Sequence, residues 1–298
     1  MGRSSKRGQY LIYIVALIIL AVLLYLRLRS SAVEAFQEDK KESVIHNDPT
    51  VPMKVFLYAD KMKPTAEALT ASLRKHKYSY EVLGLGKPWE GWVARTKAYL
   101  AAIQAYKAEK GPTAVALYID AYDVICIMDS DKFFQKYQAR ERKMPVIFGA
   151  EQNCNTDMCN KKILDWYDEH TDGGKEMMNK HINTWGTNGE HLWSQVPTFT
   201  NNGMIMGTAE GLEFLFTEIL KTGIPDDQVA AGHVIAANFD RFDIDFEENL
   251  FRNRFRHLEK RDDEDGIDGP AFLHFNDMRT DGQQQELIER YAGYNVGL

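Results

Sequence analysis

Two carboxylates, Asp120 and Asp123, stand three residues apart just after the apolar run 114–119, AVALYI. A short uncharged run of this kind predicts a strand covered on both faces. In an α/β sheet, ligands bind at the carboxyl ends of strands. Two oxygen donors on one short turn suit a hard divalent cation such as Mg²⁺ or Mn²⁺. Such an ion can hold a nucleotide diphosphate and neutralise the charge that builds as it leaves. The everyday role of Asp at a strand end is a turn or a helix cap. The reading therefore depends on the company the pair keeps.

That company is polar and aromatic. Tyr122 lies between the two carboxylates, where its ring could pack in the core or stack on a nucleobase. Lys97, on the preceding predicted helix, could face solvent or contact phosphate. Asn201, Asn202 and Gly203 read as a polar turn before a strand, able to hydrogen-bond sugar hydroxyls. Asp226, Asp227 and Gln228 follow Pro225 at the start of a predicted helix. Helix capping accounts for Asp226; a carboxylate there could also orient a sugar or an acceptor hydroxyl. His274 and Asn276 end the last apolar strand, and His274 could complete an Asp/Asp/His metal set.

The elements that must position these residues alternate. Strands are predicted at 54–58, 80–83, 114–119, 145–149, 204–206, 242–246 and 271–275. Helices are predicted at 64–76, 93–106, 131–139, 209–220, 227–238 and 284–291, the third capped by Asp129 or Ser130. This alternation implies an α/β layered fold with a mainly parallel central sheet. The stretch 155–197 is polar, rich in Trp, Asn and Gly, and shows no clear period. LGLG at 83–86 is too short for a dinucleotide fingerprint and reads as a tight turn. No P-loop, GxSxG or HExxH occurs, so the corresponding nucleotide-triphosphatase, hydrolase and zinc-protease readings lack motif support.

Residues 10–26 are uncharged and almost wholly apolar, at the lower edge of the length a membrane span needs. Basic residues flank them on both sides: Arg3, Lys6 and Arg7 before, Arg27 and Arg29 after. We expect a short tail over 1–9, a retained single-pass anchor over 10–26, a polar stem over 27–52 and one large domain over 53–298. A cleaved signal peptide, with Val33 and Ala35 at the small-residue positions, and a buried core helix are the alternatives. The slight basic excess before the anchor favours a type II orientation, with the domain in the ER or Golgi lumen or outside, on a viral or host membrane. The net charge of −7 and the lack of a basic stripe argue against nucleic-acid binding. Of three cysteines, Cys126 is expected as a buried free thiol, and Cys154 and Cys159 could close a small disulfide loop. Zinc lacks a second ligand pair.

In chain order the blocks LGLGKPWEGW (83–92), YIDAYDV (118–124), VIFGAEQNC (146–154), TNNGMIMG (200–207), DDQ (226–228) and FLHFN (272–276) resemble the glycosyltransferase domain of the procollagen lysyl hydroxylases and their relatives in large DNA viruses. The resemblance runs from about residue 51 to the C-terminus and leaves no segment for the dioxygenase domain. It implies a GT-A fold, a UDP-hexose donor (glucose ahead of galactose), Mn²⁺ and retention of configuration. By resemblance, Asp120, Asp123 and His274 bind the metal, and Tyr122 stacks on uracil. Lys97 and Asn276 lie near the donor. Asp226, Asp227 and Gln228 lie at the sugar and acceptor side, where Glu151 and Asn201 line the same pocket. The acceptor implied is a protein or glycan hydroxyl, such as galactosyl-hydroxylysine of a collagen-like protein. Two departures stand out. Asn155 follows Cys154 where the family often has Trp, and HFNDMRT replaces HGNGPTK, with Arg279 as a candidate replacement for phosphate contacts. A nucleotide-sugar-binding membrane protein with little turnover is the alternative function, and a structural membrane or virion protein a third.

Overall fold

A computed structural model describes residues 45–46, 53–140, 144–154, 182–185, 191–194, 199–253 and 269–276. The chain falls into two units, Met1–Ser43 and Val44–Leu298, and all described residues belong to the second. The predicted anchor 10–26, the predicted helix 284–291, Asn155, Cys159 and Arg279 lie outside the described residues. Among the described residues no helix is long and apolar enough to cross a membrane.

Seven strands form the central sheet: β1 (Ile45–His46), β2 (Met53–Tyr58), β3 (Ser79–Leu83), β4 (Val115–Asp120), β6 (Val146–Glu151), β10 (Phe199–Thr208) and β11 (Phe242–Asp245). Their order is β1-β3-β2-β4-β10-β6-β11. Alternation along the strands builds two cores. Val55, Leu57, Leu117 and Ile119 face one layer with Leu69, Leu73 and Phe133; Phe56, Tyr58, Ala116 and Tyr118 face the other with Tyr99, Ile103, Leu215 and Phe216. The first layer holds helices α1 (Pro64–Lys75) and α3 (Ser130–Ala139). The second holds α2 (Trp92–Lys110), α4 (Ala209–Thr222) and α5 (Asp227–Ala237).

The fold class is α/β, as predicted, but the sheet is mixed rather than mainly parallel. β2 runs parallel to β3 and β4, and β6 parallel to β11. β10 runs antiparallel to both β4 and β6, as β1 does to β3. β1 also carries the sheet back into the predicted stem. Apolar spacing reports which residues face a core but not strand direction, so the reversal at β10 left no mark in the period.

β10 is the second correction. Its expected extent was 204–206 with a polar turn before it; the strand instead spans Phe199–Thr208 and includes Asn201, Asn202 and Gly203. Its register against β6 shifts between Asn201 and Ile205. A bulge of this kind re-aims side chains, commonly beside active sites. The LGLG turn is as expected. Gly84 and Gly86 have φ of 79° and 74°, and a Cβ on Gly84 would lie 2.6 Å from the Tyr58 ring. Asp129 stands at the N-cap of α3, but its carboxylate bonds Nδ1 of His76 at 2.7 Å rather than the helix backbone.

Two small sheets complete the described structure. β5 (Val124–Cys126), β13 (Phe272–His274) and β12 (Phe251–Asn253) form one, in the order β12-β13-β5; β7 (Asn153–Cys154), β9 (His191–Ser194) and β8 (Ile182–Trp185) form the other. Cys126 is a buried free thiol, as expected, and burial pushes it up to about 12. It is therefore unreactive near neutral pH.

Candidate active site

The chain leaves the central sheet at Asp120 and enters the small sheet at Val124. Asp120 thus ends β4, and Asp123 directly precedes β5. β13 returns antiparallel to β5 with His274 opposite Val124, and the Phe275 amide donates to the Asp123 carbonyl at 2.7 Å. This register sets the imidazole against the carboxylates. His274 Nε2 lies 3.1 Å from Asp123 Oδ2 and 3.9 Å from Asp120 Oδ2. One ligand atom from each of Asp120, Asp123 and His274 lies within 4.8 Å of the others. The predicted trio, whose histidine lies 151 positions beyond Asp123 in sequence, therefore meets at one point.

Two oxygens and one imidazole nitrogen match the donors of a divalent ion such as Mn²⁺. Among the described residues the buried His274 Nε2 makes no hydrogen bond of good geometry, although it faces two carboxylates. A nitrogen in that state has a lone pair to give a metal or a proton to give Asp123. The residues present fit a metal.

Electrostatics agree. Burial raises the pKa of Asp120, partly offset by Arg95 and reinforced by Asp123. Burial acts the same way on Asp123, but the neighbouring imidazole outweighs it and lowers that pKa. For His274 burial favours the neutral ring, yet Asp123 and then Asp120 and Glu151 prevail and raise its pKa. The two carboxylates thus favour positive charge at the point where His274 meets them.

A second cluster lies beside the first. Glu151, at the end of β6, is buried and accepts three side-chain amides: Asn201 Nδ2 (3.1 Å) and Asn276 Nδ2 (2.9 Å) on one oxygen, Gln228 Nε2 (2.9 Å) on the other. Burial nevertheless raises its pKa to about 7. Asn202 donates to the Asp227 carbonyl at 2.8 Å. The β10 bulge thus aims one asparagine at Glu151 and the next at α5. Asp226 is exposed, and its Oδ1 accepts the amides of Gln228 and Val229, so it caps α5.

Arg95, which sequence reasoning missed, joins the two clusters. Nη1 donates to Asp120 Oδ1 and Nη2 to Asp227 Oδ2, each at 2.6 Å. Its guanidinium lies 4.4 Å from the Trp92 ring. Trp92, Arg95, Thr96 and Tyr99 share one face of α2 at helical spacing, and an Arg within an aromatic stripe was the available signal. Lys97 lies about 200° further round that helix. It is exposed and does not line the cavity, so the structure does not bring it to the site.

A cavity of about 360 Å³ opens over Asp120–Asp123, with Arg95, Trp89, Trp92, Tyr58, Asp60, Lys61 and Lys63 in its wall. Trp89 and Trp92 are 46% and 44% exposed, high for such large apolar side chains. Tyr122 also lines it; its hydroxyl donates to Asp60 at 2.5 Å, and Lys63 Nζ lies 4.6 Å from its ring centre. The volume and the mixture of aromatic and charged walls suit a small-molecule ligand.

Residues 51–179 match the family model described as the PLOD GT domain. That span carries Arg95, Asp120, Tyr122, Asp123 and Glu151. None of the curated proteins matches the chain. Among solved structures, a glycosyltransferase involved in the glycosylation of the major capsid of PBCV-1 aligns with 80% of this chain and 98% of its own, at 12% identity and a TM-score of 0.48. The family match meets the resemblance carried by the short motifs: the protein is a glycosyltransferase, hence a transferase enzyme, and such an enzyme takes a nucleotide-sugar donor and a glycan or protein acceptor.

Proposed function

We propose that this glycosyltransferase, with a GT-A-type arrangement, moves a hexose from a UDP-sugar to a hydroxyl acceptor and depends on Mn²⁺. One observation carries the reading: Asp120, Asp123 and His274 converge below a cavity walled by exposed aromatic rings. A divalent ion held by these three would neutralise the charge developing on the leaving diphosphate. Trp89, Trp92 and Tyr122 offer π-faces for the nucleobase. Lys61 and Lys63 place positive charge in the same wall. Asp227, fixed by Arg95, and the amides of Asn201, Gln228 and Asn276 around Glu151 position the sugar and acceptor hydroxyls.

By family resemblance glucose is favoured over galactose, retention over inversion, and galactosyl-hydroxylysine of a collagen-like protein as acceptor. The apolar segment 10–26 supports a membrane-anchored protein with its domain lumenal or external.

The test uses the full chain in mild detergent. UDP-glucose and UDP-galactose are offered with Mn²⁺, and released UDP is measured with and without a galactosyl-hydroxylysine peptide. We expect release from one donor, stimulated by the peptide, lost on chelation and absent in the Asp120→Ala/Asp123→Ala protein. Release that persists after chelation would reject the metal assignment. No release from folded protein that still binds UDP would favour a binding protein.

A further inference from the structure

We propose that Asn253 is a positioning residue for the metal site: its Oδ1 accepts the Nδ1 proton of His274 and turns the Nε2 lone pair toward Asp120 and Asp123. The inference rests on reading those three residues as metal ligands.

Register brings Asn253 to His274. β12 runs parallel to β13, with Asn253 opposite His274. The Asn253 Oδ1 to His274 Nδ1 distance is 2.6 Å. The amide cannot be turned end for end without loss, because its Nδ2 donates to the Ala150 carbonyl at 2.7 Å. Oδ1 therefore faces the ring. An amide oxygen only accepts, so Nδ1 must carry the proton, and a neutral ring then has its lone pair on Nε2. That is the nitrogen left without a well-formed hydrogen bond, 3.1 Å from Asp123.

Glycines keep the space. A Cβ on Gly203 would lie 2.3 Å from His274 Cε1, and one on Gly149 would lie 3.2 Å from Asn253 Nδ2. The β10 bulge and the end of β6 thus leave room for the ring and for the amide that orients it. Metal-ligating imidazoles take their tautomer from such a partner, and its loss typically costs about 10–100-fold in affinity.

Substitution separates orientation from support. Asn253→Ala removes both bonds of the amide. Asn253→Asp also loses the bond to Ala150 but keeps an acceptor for Nδ1. Mn²⁺ affinity of the full chain in detergent, without donor, is read by electron paramagnetic resonance of the free ion. We expect Asn253→Ala to bind Mn²⁺ at least ~10-fold more weakly, and Asn253→Asp to recover most of that loss. In metal-free protein at a pH where the ring is neutral, ¹⁵N NMR should show the Nδ1–H tautomer in wild type and a mixture in Asn253→Ala. Equal loss in both variants would make the role structural and overturn the inference. So would wild-type affinity in Asn253→Ala, or an Nε2–H tautomer in wild type, which needs no variant to fold. Wild-type protein that binds no Mn²⁺ would instead overturn the metal reading, and this inference with it.

Discussion

Arg95 decides how two carboxylates behave at once. Its side chain is 9% exposed, and its partners Asp120 and Asp227 are 27% and 13% exposed. Each carboxylate uses one oxygen on the guanidinium. Asp120 thereby turns Oδ2 toward His274. Removing one member of such a set strands the others with uncompensated charge, at a cost of about 3–5 kcal/mol for a buried pair. Solvent reaches Asp120, so Arg95→Met should sit near the lower end, about 3 kcal/mol in urea unfolding of metal-free protein. Arg95→Lys keeps the charge but loses the fork that serves two acceptors. It should restore part of the stability and little of the UDP release. Unchanged unfolding and turnover in both variants would reduce the bridge to a surface contact. At this scale the Asp pair was legible through its company: two oxygen donors on one short turn after an apolar run, with His274 closing the last apolar strand. Arg95 was not, because its second partner lies 132 residues away.

Elements give Asp226 and Asp227 different work, although they are neighbours of the same type. Asp226 Oδ1 accepts two of the free amides at the start of α5, the ordinary function of an N-cap. Asp227 reaches back to Arg95. Asp226→Ala should therefore cost about 1 kcal/mol of stability, and Asp226→Asn, an equally good cap, almost none. Both should keep UDP release within a few-fold of wild type, whereas Asp227→Asn should lose most of it while still binding UDP. Loss of turnover in Asp226→Asn with stability intact would return Asp226 to the catalytic set. The cap was visible in the Pro-Asp-Asp sequence. The nature of β10 was not. Its first half carries Asn201 and Asn202 where a strand usually has apolar side chains, because those two serve Glu151 and α5. A site residue that breaks local preference looks, in sequence, like a turn.

Across the whole molecule, helix–strand alternation made the α/β class legible, while the reversed β10 stayed hidden. That reversal is what brings Asn201 beside Glu151, next to α5 and the residues after β13. Glu151 thus joins three distant segments through one buried side chain, with no cationic hydrogen-bond partner among the described residues. Its pKa of about 7 in the folded protein lies above the ordinary 4.5. Between those values the folded state holds more protons than the unfolded one, so stability falls as pH rises through that window and levels off above it. His274, raised above 6.5, adds a term of the same sign: stability present below its unfolded pKa and lost as pH rises through the folded one. The metal-free protein should therefore melt at lower temperature at pH 8 than at pH 5.5. In Glu151→Gln the window from 4.5 to 7 disappears, while the His274 contribution, set mainly by Asp123 and Asp120, persists in reduced form. The variant should show a shallower slope, not a flat one, provided Gln228 turns its amide to meet the new donor. Thermal melts of both proteins across this range decide it: parallel slopes would mean that Glu151 stays ionised throughout, its charge held by the three amides and by His274.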